Sequence, residues 1–282
     1  MQPPDREYAL PAGVTIVRLS PPPVAPCGTM NAQPFLRRLR EDFLHLIAPA
    51  LCPGCDEPLG PEEREYCRTC RTSLEPAPYP REILAEIATH FPPEELALEA
   101  IGALYNYAPE SGARNLVHAL KYQGCYGLGV AMGGELGRAM RMFTAFDDVE
   151  IVAPVPLHRA KMRERGYNQA QAIAEGMVKT MHGTRMAHLL ERTRHTTSQT
   201  LLDAAGRRRN VREAFRRTAF NLEGACVLLC DDVCTTGATL NACAELLLAS
   251  GARRVVAATL AKDPLSAASP DIHALIPAAV GG

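Results

Sequence analysis

One segment constrains the fold of this chain more than any other: Val227-Leu228-Leu229-Cys230-Asp231-Asp232-Val233-Cys234-Thr235-Thr236-Gly237-Ala238-Thr239. An apolar run bounded by turn residues reads as a strand buried on both faces of a parallel sheet. Two adjacent carboxylates follow, then a loop of small residues, then a helical pattern from Ala238. That order sets two acids and a bed of backbone N–H groups at the C-terminal end of a buried strand, where open α/β sheets bind ligands. Adjacent strand residues point to opposite faces. Asp231 and Asp232 are therefore expected to leave the core together, one facing the ligand more squarely than the other. Gly237 permits a positive φ, the threonines supply hydroxyl donors, and the helix N-terminus favours an anion. The two halves together suit a phosphorylated sugar. The plainer alternative is a capped strand–helix turn whose aspartates face water.

The rest of the chain supports an α/β reading. Apolar residues make up 47% of the 282, aromatics only 5%, and tryptophan is absent, so aliphatic side chains must fill the core. Strands are expected at 100–107, 149–153, 186–190, 226–231 and 254–260, and helices at 111–122, 128–142, 168–181 and 238–249. Strands separated by helices imply right-handed crossovers and a mostly parallel sheet. The glycines at 127, 129, 133 and 134 make no dinucleotide fingerprint and are expected to serve helix packing or turns. Residues 1–34 are proline-rich and without periodicity, and are expected to be a disordered tail, with Met30 a candidate start. Residues 35–80 comprise an amphipathic helix (Phe35, Leu36, Leu39, Phe43, Leu46, Ile47) and a cysteine module. Residues 81–97 read as a linker, 98–264 as the main domain and 265–282 as a loose tail. No run is long and apolar enough to span a bilayer, and no basic start precedes an apolar core. A cytoplasmic protein without membrane insertion is expected.

Net charge is −1, which gives no global field for nucleic acid or membrane. The distribution is uneven. From Arg159 to Arg217 there are 14 lysines and arginines against 5 acids, a local excess of nine positive charges. Val152-Ala153-Pro154-Val155-Pro156-Leu157-His158-Arg159 ends an apolar strand in a proline-punctuated turn. Lys161, Arg163, Arg165 and Gly166-Tyr167-Asn168-Gln169 follow, offering main-chain N–H groups and cations of the kind a pyrophosphate needs. A solvated basic turn is the alternative. Arg192-Thr193-Arg194-His195-Thr196-Thr197-Ser198-Gln199 follows another strand pattern. A mobile arginine-bearing loop there can exclude water and neutralise a departing anion, while His195 reads as a surface histidine.

Cys52-Pro53-Gly54-Cys55 and Cys67-Arg68-Thr69-Cys70 are two C-x₂-C pairs separated by eleven residues. In a reducing compartment they are thiols or metal ligands rather than disulfides. Two tight pairs match a closed tetrahedral zinc site, which would supply folding energy to a module too small for its own core. Redox chemistry is the alternative. Cys234, inside the acidic loop, is either oxidisable or simply a small residue that fits.

Residues 227–239 resemble the phosphoribosyl pyrophosphate (PRPP) motif of type I phosphoribosyltransferases. From about Phe35 to Ala261 the ordered set resembles the competence protein F (ComF) family. That set comprises helix, cysteine pairs, Pro-Val-Pro-Leu-His, Arg-Gly-Tyr-Asn-Gln and Asp-Asp-Val-x-Thr-Thr-Gly-Ala-Thr. The stretch Ala103–Gly124, with Tyr105, Tyr107, Lys121 and Tyr122-Gln123-Gly124, shares the resemblance. It implies a type I phosphoribosyltransferase fold, a mostly parallel twisted sheet flanked by helices, preceded by a zinc-ribbon-like module. It also implies that Asp231 and Asp232 hold the ribose 2′- and 3′-hydroxyls, and that Thr235, Thr236, Gly237, Ala238 and Thr239 wrap the 5-phosphate. Pro156, His158, Arg159, Arg163 and Arg165 would lie in the pyrophosphate loop. Arg192, Arg194 and Gln199 would lie in the closing loop of amidophosphoribosyltransferase-like enzymes. Cofactors would be Mg²⁺ carried by PRPP and structural Zn²⁺. The implied activity is ribose-5-phosphate transfer with pyrophosphate release, to an acceptor the sequence does not identify, in a protein of DNA uptake. The alternative is a non-catalytic factor that meets single-stranded DNA or a competence helicase and uses the PRPP site only as a ligand pocket.

Overall fold

Alternation along the central strands decides the architecture. In a computed structural model, which describes residues 50–108, 111–193 and 212–264, all described residues fall in one unit, Pro49–Gly282. In chain order the elements are α1 (Arg68–Ser73), α2 (Pro80–Ala88), β1 (Ala100–Asn106), α3 (Gly112–Tyr122), α4 (Tyr126–Met140), β2 (Ile151–Pro154), α5 (Arg159–Arg165) and α6 (Gln169–Val178). They continue with β3 (Arg185–Met186), β4 (Leu190–Arg192), β5 (Phe215–Arg217), β6 (Cys226–Cys234), α7 (Ala238–Leu248) and β7 (Arg254–Lys262). Five strands form an all-parallel sheet in the order β1-β7-β6-β2-β3. The tail at 1–34, the helix at 35–47 and the tail at 265–282 lie outside the described residues. So do Arg194, His195 and Gln199.

Successive residues of β6 serve two cores. Cys226, Leu228 and Cys230 pack with α3, α4, α6 and the cysteine module. Val227 and Leu229 pack with α2, α7 and the β4–β5 ribbon. Strands covered on both faces are apolar where they are covered, as β6 is over 226–230 and β7 over 255–258. The strand expected over 186–190 is instead two. Arg185 and Met186 pair with β2, and the chain then leaves the sheet to form an antiparallel ribbon with β5. Strand β6 also runs further than expected, to Cys234, so both aspartates sit within it rather than beyond it.

The 81–97 segment, read from sequence as a linker, is packed. Ile83 and Ile87 of α2 are fully buried, and Glu86 pairs at 2.9 Å with Lys262, a lysine 1% exposed at the end of β7. The cysteine module is likewise fastened. Tyr66 and Tyr105 donate hydrogen bonds to Glu135 Oε2 at 2.7 and 3.2 Å, and Arg71 pairs with the other oxygen at 3.1 Å. Asn115 of α3 donates to the Gly54 carbonyl at 3.0 Å.

Helices α4 and α6 meet backbone to backbone. A Cβ on Gly133 would collide with the Ile173 carbonyl, and one on Gly176 with the Val130 carbonyl. Glycine is required here by close approach. Gly133→Ala and Gly176→Ala should each destabilise the fold by about 1–3 kcal/mol, the cost of overpacking. Urea denaturation midpoints measure it; an unchanged midpoint for both would exclude this helix contact.

Candidate functional site

Strands β2 and β6 lie side by side, Pro154 opposite Cys230, and a polar cavity of about 140 Å³ opens at their C-terminal ends. It is lined by Asp231, Asp232, Pro156, Arg165 and Arg192, together with Lys121, Lys161, Asn168 and Gln169. Four cations and two carboxylates therefore share one small space. Asp231 and Asp232 both reach this cavity, and the Asp232 amide donates to Asp231 Oδ1 at 2.8 Å. Lys121 reaches Asp232 Oδ1 at 3.3 Å from the α3 side, and the charges of Lys121 and then Arg192 also bear on Asp231.

The turn after β2 is held by Asn168. This 7%-exposed side chain donates to the Val155 carbonyl at 3.0 Å and accepts from the Ala170 amide, capping α6. Helix α5 ends at Gly166, whose φ of 79° turns the chain back. The segment 165–169 then grips the end of α3. Tyr167 Oη and Gln169 Nε2 both donate to the Leu120 carbonyl, at 2.5 and 3.2 Å. Arg165 stacks its guanidinium over the Tyr122 ring at 5.6 Å and donates to Gln169 Oε1 at 3.0 Å.

Electrostatics follow from crowding. Burial pulls Lys161 below the usual lysine value, and the charges of Arg165, Arg192 and Lys121 add to that. Burial also pulls Arg192 down. Asp231 is pushed up to about 7, by burial first and then by Asp232. Arg165 Nε is buried with no hydrogen-bond partner among the described residues. An unpaired buried donor in a cation-lined cavity is what an anion would satisfy.

The other sequence-predicted residues are distributed around this cavity. His158 and Arg159 line an adjoining cleft of about 540 Å³, with His188, Glu191, Thr193 and Arg216, which meets the cavity at Pro156, Leu157, Asn168 and Arg192. Arg163 is exposed on α5. Thr235, Thr236, Gly237, Ala238 and Thr239 form the turn into α7 rather than the cavity wall. Gly237 caps that helix at φ 75°, and a Cβ there would press on Ile87 of α2 at 2.9 Å. Lys161 stands in the sequence with the cations of the basic turn. Lys121 enters from the sequence only within the 103–124 stretch that shares the family resemblance, with no site role.

Far from this cavity in sequence, Cys52, Cys55, Cys67 and Cys70 bring their sulfurs within 4.8 Å of one another. The Cys52–Cys70 and Cys55–Cys67 sulfur pairs are each 3.7 Å apart. A tetrahedron with metal–sulfur bonds of about 2.3 Å has edges of about 3.8 Å, so the four thiols can hold a metal ion. Burial acts against ionising Cys52, but the Cys67 and Gly54 amides that donate to its sulfur bring it down to about 7.

A phosphoribosyl transferase domain model matches residues 130–276, and the chain belongs to that family. Competence protein F of Haemophilus influenzae is 26% identical over 217 residues, covering 75% of this chain and 90% of that protein. The DNA utilization protein YhgH of Escherichia coli is 28% identical over 220 residues, 74% of this chain and 96% of that protein. Among solved structures, a hypoxanthine phosphoribosyltransferase from Staphylococcus aureus aligns at 14% identity with a TM-score of 0.31, over 48% of this chain and 65% of that one. A phosphoribosylpyrophosphate synthetase from Mycobacterium smegmatis aligns at 19% identity with a TM-score of 0.30, over 47% of this chain and 33% of that one. The parallel sheet flanked by helices and the family match together define a phosphoribosyltransferase-type α/β fold, preceded by a four-cysteine module.

Asp231 links the cavity to pH. The folded chain holds a proton there to about pH 7, whereas an unfolded aspartate releases it near about pH 3.9. The stability tied to that proton is complete below about pH 4 and is lost as pH rises to 7. Asp231→Asn should therefore match the parent at pH 4 and exceed it by at least about 1 kcal/mol at pH 8. Melting temperatures across this range test it, and a difference independent of pH would rule the raised acid out.

Proposed function

We propose that the cavity at the ends of β2 and β6 binds Mg²⁺–PRPP, and that the protein transfers ribose 5-phosphate to an acceptor with release of pyrophosphate. The observation that carries this reading is the convergence of two strand-end carboxylates and four cations on a space of about 140 Å³. In this reading Asp231 and Asp232 accept hydrogen bonds from the ribose hydroxyls. The N–H groups and threonine hydroxyls of Thr235–Thr239, at the start of the eleven-residue α7, take the 5-phosphate. Arg165, Lys161 and Arg192 balance the charge that builds on the leaving pyrophosphate. Mg²⁺, when bound with PRPP, would supply further neutralisation of that group. His158 caps α5 and Arg159 and Arg163 stand on that helix, while Arg194 and Gln199 fall in sequence between β4 and β5.

An Mg²⁺-dependent calorimetric or thermal-shift response to PRPP is expected. It should disappear in the Asp231→Asn/Asp232→Asn double variant, and pyrophosphate should appear only when the correct nucleobase or amine from a panel is added. No response to PRPP in the parent chain would refute the assignment.

A second reading is favoured by the names of the relatives, which concern competence and DNA utilization, and by the excess of nine positive charges over 159–217. Here the protein binds single-stranded DNA or a competence helicase, and the sugar-phosphate pocket serves only as a ligand site. Single-stranded DNA binding that survives the double aspartate substitution and weakens steeply with salt would favour it.

The four-cysteine site is proposed to hold structural Zn²⁺, since all four ligand positions come from the protein and thiolates suit that ion. One zinc per chain should be released by a mercurial and captured by a colorimetric chelator. Cys52→Ser with Cys70→Ser should abolish it and lower the melting temperature; full stability without bound metal would oppose a structural role.

A further inference from the structure

Lys121 occupies a place that the sugar-phosphate reading leaves without a role. Its side chain is 21% exposed and its ammonium lies 3.3 Å from Asp232, one of the two carboxylates that reading gives to ribose. We propose that Lys121 is a binding residue for the pyrophosphate portion of the ligand, held in reserve by Asp232 until the ligand arrives. This rests on the PRPP reading of the cavity.

Three observations support it. First, Lys121 stands at the last turn of α3, and that turn is fixed in space by the segment that follows α5. Two side chains, Tyr167 and Gln169, spend their donors on the single Leu120 carbonyl, and Arg165 stacks on Tyr122. The backbone on both sides of Lys121 is thus tied to the same segment that brings Arg165 into the cavity. Second, the groups facing Lys121 are Asp232 from β6 and the cations Lys161, Arg165 and Arg192 from α5 and β4. Two aspartates do not balance four cations, and the imbalance suits a polyanion rather than a neutral sugar. Third, Arg165 Nε is buried beside them without a hydrogen-bond partner among the described residues. The Lys121–Asp232 pair therefore has a physical use. It keeps each charge compensated while the cavity is empty of ligand, since a half-buried charge left alone is costly. An entering pyrophosphate offers the ammonium a stronger partner and releases Asp232 to the ribose hydroxyls.

The test uses the full chain and three probes in saturating Mg²⁺: PRPP, inorganic pyrophosphate and ribose 5-phosphate, with binding measured by calorimetry. Lys121→Met should weaken PRPP and pyrophosphate roughly ten- to hundredfold, the loss of one charge-assisted contact, and leave ribose 5-phosphate within about twofold. Lys121→Arg should recover most of the loss. Tyr167→Phe removes one of the two donors to the Leu120 carbonyl without touching the cavity wall, and should weaken pyrophosphate by about two- to fivefold while again sparing ribose 5-phosphate. Unchanged or tighter pyrophosphate binding by a folded Lys121→Met would overturn the proposal, for Lys121 would then only mask Asp232. Equal losses for all three probes would overturn it too, as a general disturbance of the site. A parent chain that binds none of the probes would instead strike down the PRPP reading itself.

Discussion

Two neighbouring carboxylates at the end of a strand buried on both faces set the terms for everything around them. Asp231 and Asp232 both end in the one cavity past the sheet, so the cations that reach it compensate them together. Lys121 comes from α3 and bears on both, and Arg192 comes from the β4–β5 ribbon. Desolvation makes either charge unfavourable alone. Burial acts on the cations in turn: it lowers both Lys161 and Arg192, and at Lys161 the neighbouring cations add to it. The cavity is thus a balance of mutually buried charges, responsive to any anion that enters.

That balance depends on packing some distance away. The Gly133 and Gly176 contacts let α4 and α6 approach closely enough for their backbones to touch. Helix α6 begins at the capping Asn168 that holds the Val155 carbonyl, so the turn carrying Pro156 and His158 is positioned by a helix whose own place is set by glycine. Helix α3 is held at both ends: by the cysteine module through Asn115, and by Tyr167 and Gln169 at Leu120. The four-cysteine module and the cavity therefore address opposite ends of one eleven-residue helix.

Much of this was legible in the chain because it is periodic. The apolar strands and the helices at 111–122, 168–181 and 238–249 follow from patterns that burial on both sheet faces enforces. The acid pair and the cysteine pairs were legible because they are local. What the sequence hid is contact at a distance. Lys121 meets Asp232 across 111 positions, and no spacing rule connects them. The segment 186–190 read as one strand because its apolar content does not reveal where a chain departs from a sheet. Residues 81–97 read as a linker because Ile83 and Ile87 gain their meaning only from the distant core they join, Ile87 lying against the turn at Gly237.

Lys262 gives that cover a practical meaning. Its ammonium is shut inside the protein, and its ion-pairing partner Glu86 belongs to a helix nearly two hundred residues upstream. Cutting the chain just ahead of β1, as a tidy phosphoribosyltransferase fragment would suggest, takes that carboxylate from the buried charge and removes Ile83 and Ile87 from the core they share with Ile101. The smallest piece able to stand alone must therefore reach back through α2, so the α/β domain inherits part of what looked like its own preface.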